Sequence, residues 1–141
     1  MSEYIEFAQT NPLLVFGFIA VLGIIIWTEI GRLNQNFAQL NANQAVQLIN
    51  SDKTICIDVR EEKEIASGGI QGAIHIPSGQ ITNRINELDK YKTSPILVYC
   101  RSGSRSSHVC KQLDKAGFEN LSNLAGGIIA WETAKLPIVS I

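Results

Sequence analysis

Three hydrophobic patterns succeed one another along the chain. The first is an unbroken apolar run from Leu13 to Trp27, LLVFGFIAVLGIIIW, with no charge inside it. As a helix it covers roughly 23 Å, and Pro12, Thr28 and Ile30 extend it. This is short for a bilayer span, but slight local thinning accommodates it. The run is apolar on every face, which argues against a core helix. Glu3 and Glu6 precede it, with no Lys or Arg, which argues against a cleaved signal peptide. The expectation is a short flank over 1–12 and a transmembrane helix over 13–30.

The second pattern is polar and amide-rich, Asn34 to Asn43 (NQNFAQLNAN), and reads as a linker or the continuing end of the anchor helix; the linker is placed at 31–39. The third begins near Leu40, where short apolar runs alternate with amphipathic segments, as in an α/β domain over 40–141. Ala42, Ala45, Val46 and Ile49 fit one helical face. Thr54 to Val59 is a nearly all-apolar run, as expected of a strand buried on both sides. Glu61 to Ala66 predicts a brief helix ended by Gly68 and Gly69, and Ala73 to Ile76 a strand closed by Pro77. Ile81, Ile85 and Leu88 give an amphipathic helix. Ile96 to Tyr99 is the clearest buried strand. Val109, Cys110, Leu113 and Ala116 mark a helix ending at Gly117. A strand at Leu121 to Leu124 leads to Gly126-Gly127 and a short helix holding Trp131.

Composition narrows the classes. With 141 residues there is room for one domain besides the anchor. Twelve Lys+Arg against 13 Asp+Glu leave no basic surplus, so nucleic acid is not an expected partner. Cys56, Cys100 and Cys110 form an odd set without CxxC spacing, which argues against a disulfide framework or zinc site and suits a reducing compartment. Arg32 follows the apolar run and nothing basic precedes it, so the positive-inside rule puts the C-terminal domain in the cytoplasm.

The chemistry concentrates at Cys100. This thiol stands at the carboxyl end of a buried strand, where open α/β sheets place ligands. A loop bending at Gly103 follows, and then a helix begins, so backbone N–H groups and the helix dipole converge near the sulfur. Arg101 and Arg105 add positive charge. All of these favour a nucleophilic thiolate. Cys56, in an apolar strand, and Cys110, on the apolar side of its helix, read as packing residues. His75 and His108 have no partner at metal-ligand or triad spacing. Asp58 and Arg60 suggest a structural ion pair or turn contact.

These residues carry a family resemblance. Cys100-Arg-Ser-Gly-Ser-Arg105 resembles the active-site loop of rhodanese sulfurtransferases, C-R-[ST]-G-x-R. Asp58-Val-Arg-Glu61, Gly72-Ala-Ile-His-Ile-Pro77 and Leu124-Ala-Gly-Gly-Ile-Ile-Ala-Trp131 are similar to three further motifs of that family, in the same order. Gly69 departs from it, standing where His is common. The resemblance implies an α/β rhodanese-like fold, a central parallel sheet flanked by helices, preceded here by the N-terminal transmembrane helix of an anchored bacterial type, in the inner membrane. It implies sulfur transfer through a Cys100 persulfide, from a small anionic donor such as thiosulfate to a thiol or cyanide-like acceptor. Cys100 would be catalytic, and Arg101, Ser102, Gly103, Ser104 and Arg105 would bind substrate, with Arg101 influencing donor preference and Arg105 holding the loop. No metal or organic cofactor is implied. A single-span anchor also leaves room for a membrane-protein partner.

Two other readings remain. A membrane-tethered adapter would use the same surface without chemistry. A cysteine phosphatase or arsenate reductase would share the N–H cradle, but phosphatases of this kind need C-x5-R, and Ser106 occupies that Arg position here.

Overall fold

The computed structural model describes residues 1–51 and 53–141, which fall into two compact units, 1–35 and 36–141. The first unit holds two helices, α1 (Ser2–Thr10) and α2 (Pro12–Leu33), separated at Asn11. Pro12 stands at the first turn of α2, where its missing N–H costs nothing. The 22 residues of α2 have a mean hydropathy of 2.4 over their best window, and none is buried. This helix is long and apolar enough to cross a membrane.

The second unit is built on a five-stranded parallel sheet. Its elements are β1 (Ala38–Leu40), α3 (Ala42–Ser51), β2 (Ile55–Asp58), α4 (Glu62–Ile65), β3 (Ile74–His75), α5 (Ile81–Arg84), β4 (Pro95–Tyr99), α6 (Ser104–Lys115), β5 (Asn120–Leu124) and α7 (Gly127–Thr133). The spatial order is β1-β5-β4-β2-β3, with every pair parallel. Successive residues of a strand face opposite sides, so the central strands feed two cores. Ile57, Ile96, Val98 and Cys100 pack on the side that holds Val109, Cys110 and Leu113 of α6. Cys56, Leu97 and Tyr99 pack on the other, with Ala45 of α3 and Ile128 and Trp131 of α7. Ile57, Ile96, Leu97 and Val98 are fully buried, each contributing about 1.5–3 kcal/mol of transfer free energy.

Three local expectations are revised. The amide-rich stretch read as a linker carries β1, an edge strand in register with β5 through Ala38↔Ser122, Gln39↔Asn123 and Leu40↔Leu124. With Ala38 and Gln39 exposed and only Leu40 partly buried, it escapes a hydrophobicity reading, because its ladder bonds come from the backbone. The helix expected through Ile81, Ile85 and Leu88 begins as α5 but tightens to a 3-10 turn over Ile85–Tyr91, with Ile81 and Leu88 still buried. The strand expected at Ala73 to Ile76 shrinks to Ile74–His75 at the sheet edge.

Asp58 and Arg60 form the ion pair their spacing suggested. Arg60 Nη2 lies 2.6 Å from Asp58 Oδ2, and both residues are almost completely buried. The guanidinium also donates to the Gly68 carbonyl at 2.7 Å and, at 3.3 Å, to that of Glu64, so four of its five hydrogens are spent on oxygens. His75 Nε2 meets the Arg60 carbonyl at 2.7 Å. Gly69 exchanges two backbone bonds with Val139. A Cβ at Gly69 would stand 2.8 Å from the Tyr99 hydroxyl and 2.7 Å from Ile141 Cδ1, so the C-terminal segment occupies the space a larger residue would need.

Candidate active site

Cys100 is the first residue beyond β4, and the chain turns at once over its side chain. Gly103 makes the turn at φ +96, a conformation side chains rarely adopt, and α6 starts at the next residue. The Gly103 N–H thereby donates to Cys100 Sγ at 3.1 Å, and the Ser106 hydroxyl lies 3.4 Å from the same sulfur. Burial pushes the thiol's pKa up. The Ser106 hydroxyl and the N–H groups of Ser106, Gly103 and Ser102 outweigh it, so the net shift is downward. Cys100 is completely buried beneath this loop.

The Gly126-Gly127 pair supports the loop from below. As α7 starts, the Ile128 N–H donates to the Cys100 carbonyl at 2.9 Å and the Ile129 N–H to that of Arg101 at 3.3 Å. Gly127 has φ +59, and a Cβ there would collide with the carbonyls of Cys100 and Arg101. The close approach of two backbones is what this glycine permits.

The two loop arginines are placed differently. Arg105 forms a bidentate pair with Glu64 of α4, at 2.7 and 2.8 Å. That partner holds the Arg105 pKa above its ordinary value and lowers Glu64 to about 2. Glu64 is itself fixed by a capping box with Glu61, accepting the Glu61 N–H at 2.8 Å. The loop therefore carries one compensated cation, not two free ones. Arg101 is exposed, has no carboxylate within ion-pair distance among the described residues, and lines a cavity of about 280 Å³ with Lys63, Ser67 and Glu132. Ser102 and Ser104 are exposed, their hydroxyls 3.4 Å apart, so Ser102 serves the sulfur through its backbone. Ser104, Arg105 and His108 line another cavity, of about 530 Å³, with Ser78 and Thr82.

Burial raises the Cys56 thiol to about 11, and burial with the nearby Cys100 raises Cys110 to about 12. Both are inert packing groups at neutral pH. Glu64, Ser106 and Asn123 join the site without having been singled out from the sequence. Only Glu64 had a local signal, the Glu61-x-x-Glu64 spacing of a capping box.

A parallel α/β domain with a thiol cradled by backbone N–H groups between a central strand and a helix defines the class. The chain belongs to the rhodanese-like domain family, whose profile matches residues 41–134. It is 30% identical over 140 residues to the uncharacterized protein YibN of Escherichia coli strain K12, covering 99% of this chain and 98% of that one. A sulfurtransferase of Allochromatium vinosum is 38% identical over 94 residues, covering 67% of this chain and 86% of its own. Among solved structures, a rhodanese-related protein from Thermoplasma volcanium superposes with a TM-score of 0.67 at 26% identity, over 74% of this chain and all of the other.

Proposed function

We propose that this protein is a membrane-anchored sulfurtransferase that carries sulfane sulfur as a persulfide on Cys100. The observation that carries the reading is the set of hydrogen-bond donors converging on Cys100 Sγ, with Gly103 N–H at 3.1 Å. Such a cradle stabilises negative charge on sulfur, first on the thiolate and then on the terminal sulfur of the persulfide. The Cys100 thiolate attacks the outer sulfur of thiosulfate. The donor's S–S bond breaks, sulfite leaves with the electron pair, and Cys100–S–S⁻ remains. An acceptor thiolate or cyanide then attacks the terminal sulfur and expels the Cys100 thiolate. No outside oxidant or reductant enters this cycle.

Arg101 supplies the uncompensated positive charge that attracts an anionic donor, while Arg105, tied to Glu64, stiffens the loop. Helix α2 is the anchor. Arg32 in the last turn of α2, with no Lys or Arg in residues 1–11, supports a rhodanese domain on the cytoplasmic side, where free thiols stay reduced.

The test is to incubate the full chain in detergent micelles with thiosulfate and weigh it before and after adding cyanide. A gain of one sulfur atom, reversed by cyanide with thiocyanate formed and absent in Cys100→Ser, is the expected result. A folded protein with a reactive thiol and no adduct would overturn thiosulfate as donor and advance the adapter and oxyanion readings.

A further inference from the structure

Asn123 of β5 bonds to the two residues that hydrogen-bond the Cys100 sulfur, Gly103 and Ser106. Its Nδ2 donates to the Gly103 carbonyl at 3.2 Å and to Gln39 Oε1 at 2.8 Å, which uses both amide hydrogens. Its Oδ1 accepts from the Ser106 hydroxyl at 2.5 Å. The amide's orientation follows from these partners, because turning it over would set Oδ1 against two other oxygens. Asn123 is 2% exposed and Ser106 is fully buried, so bulk water does not replace a lost partner. Gln39 is the register neighbour of Asn123 on β1, so a polar chain runs from the sheet's edge strand to the loop over the sulfur.

The Ser106 hydroxyl has one proton and two acceptors in reach, Asn123 Oδ1 and Cys100 Sγ. While Cys100 is a thiol, its S–H can donate to Ser106, which in turn donates to Asn123. Once the sulfur is anionic, the hydroxyl proton is drawn toward it and away from Asn123. Removing Asn123 therefore has two opposed effects. It frees one hydroxyl for the sulfur, at a long 3.4 Å. It also removes one of the two bonds on the Gly103 carbonyl, the other coming from the Ser107 N–H at 3.1 Å, and so loosens the loop that presents the N–H groups of Ser102, Gly103 and Ser106. The Gly103 N–H at 3.1 Å is held by that loop, with the N–H groups of Ser102 and Ser106 beside it, so disturbing the loop costs the sulfur anion more than one hydroxyl at 3.4 Å returns.

We infer that Asn123, braced by Gln39, is a positioning residue that holds the Cys100 loop in the geometry that stabilises a sulfur anion. The inference rests on the reading of Cys100 as the nucleophile. The charged or titratable groups around the sulfur are Arg101 of the loop, Arg105 and Cys110 of α6, and Glu64 of α4 behind Arg105; all are intact in the variants below.

The experiment measures the iodoacetamide alkylation rate of the full chain in detergent micelles from pH 5 to 10, with Cys100→Ser as the blank for the other thiols. In Asn123→Ala the midpoint of the rate profile moves up by about half to one unit. In Gln39→Ala, an exposed edge position, it moves the same way by less. A merely structural role would lower the unfolding temperature and leave the midpoint in place. A folded Asn123→Ala whose midpoint is unchanged or lower overturns the inference; if that variant does not fold, an unchanged midpoint in Gln39→Ala does so. The assay uses no sulfur donor, so a failure of thiosulfate loading and a failure of this inference are read separately.

Discussion

Replacing Glu64 by Gln tests the loop's electrostatic support. Gln retains an oxygen for the Glu61 N–H but loses the charge facing Arg105. In the folded protein Glu64 sits at about 2 against an ordinary 4.5, held down first by its hydrogen bonds from Arg105. At about 1.4 kcal/mol per unit the full shift would be worth about 3 kcal/mol. The Arg105 side chain is 34% exposed and that of Glu64 21%, so solvent screening reduces this to about 1–2 kcal/mol. The sign follows from the depressed pKa. The stabilisation is fully present above the unfolded value near 4.5 and is lost as pH falls through the folded value near 2. Urea unfolding of the full chain in detergent, followed by Trp131 fluorescence in a Trp27→Phe background, measures it. Glu64→Gln should be less stable by about 1–2 kcal/mol at pH 7, with more than half of that gap gone by about pH 3. A gap that stays constant from pH 7 to pH 3, or one too small to resolve at pH 7, would refute the reasoning.

Two further outcomes follow from the packing. Gly127→Ala should cost about 2–4 kcal/mol and displace the Cys100 loop, since a Cβ there strikes two carbonyls at positive φ. Gly117→Ala is the control: it shares a positive φ, but a Cβ there meets nothing within 4 Å, so urea midpoints should separate crowding from backbone strain. All three thiols are buried, so their pKa values decide the order: maleimide at pH 7 should modify Cys100 in the folded chain ahead of Cys56 and Cys110, and labelling of Cys110 at the rate of Cys100 would contradict its raised pKa.

What the sequence reveals depends on whether a signal is local. β4 and the Cys100 loop are legible because a buried strand, a glycine turn and a polar helix start lie within about ten consecutive residues. β2 and α6 announce themselves in the same way, β2 through a continuous apolar run and α6 through an apolar face near period four. β1 does not, because Ala38 and Gln39 are exposed and its place is set by a backbone ladder to β5, more than 80 residues downstream. Glu64 and Asn123 escape for the same reason, since each meets the loop only through the tertiary fold. The neutralisation of Arg105 could not be read from its own neighbourhood, because its partner lies 41 positions away.

The strand order also sets a timetable for synthesis. Cys100 emerges from the ribosome well before β5 and α7, yet Asn123 and the Ile128 N–H that support its loop belong to those later segments. Parallel strands cannot pair through a tight hairpin, and the non-local contacts they need form slowly. Until residue 128 and its neighbours have docked, Cys100 is an ordinary cysteine on a nascent chain, without the donors that lower its pKa in the folded domain. The hydrogen-bonded thiol exists only once β5 and the start of α7 have been made and have docked, so an unfolded intermediate lacks it.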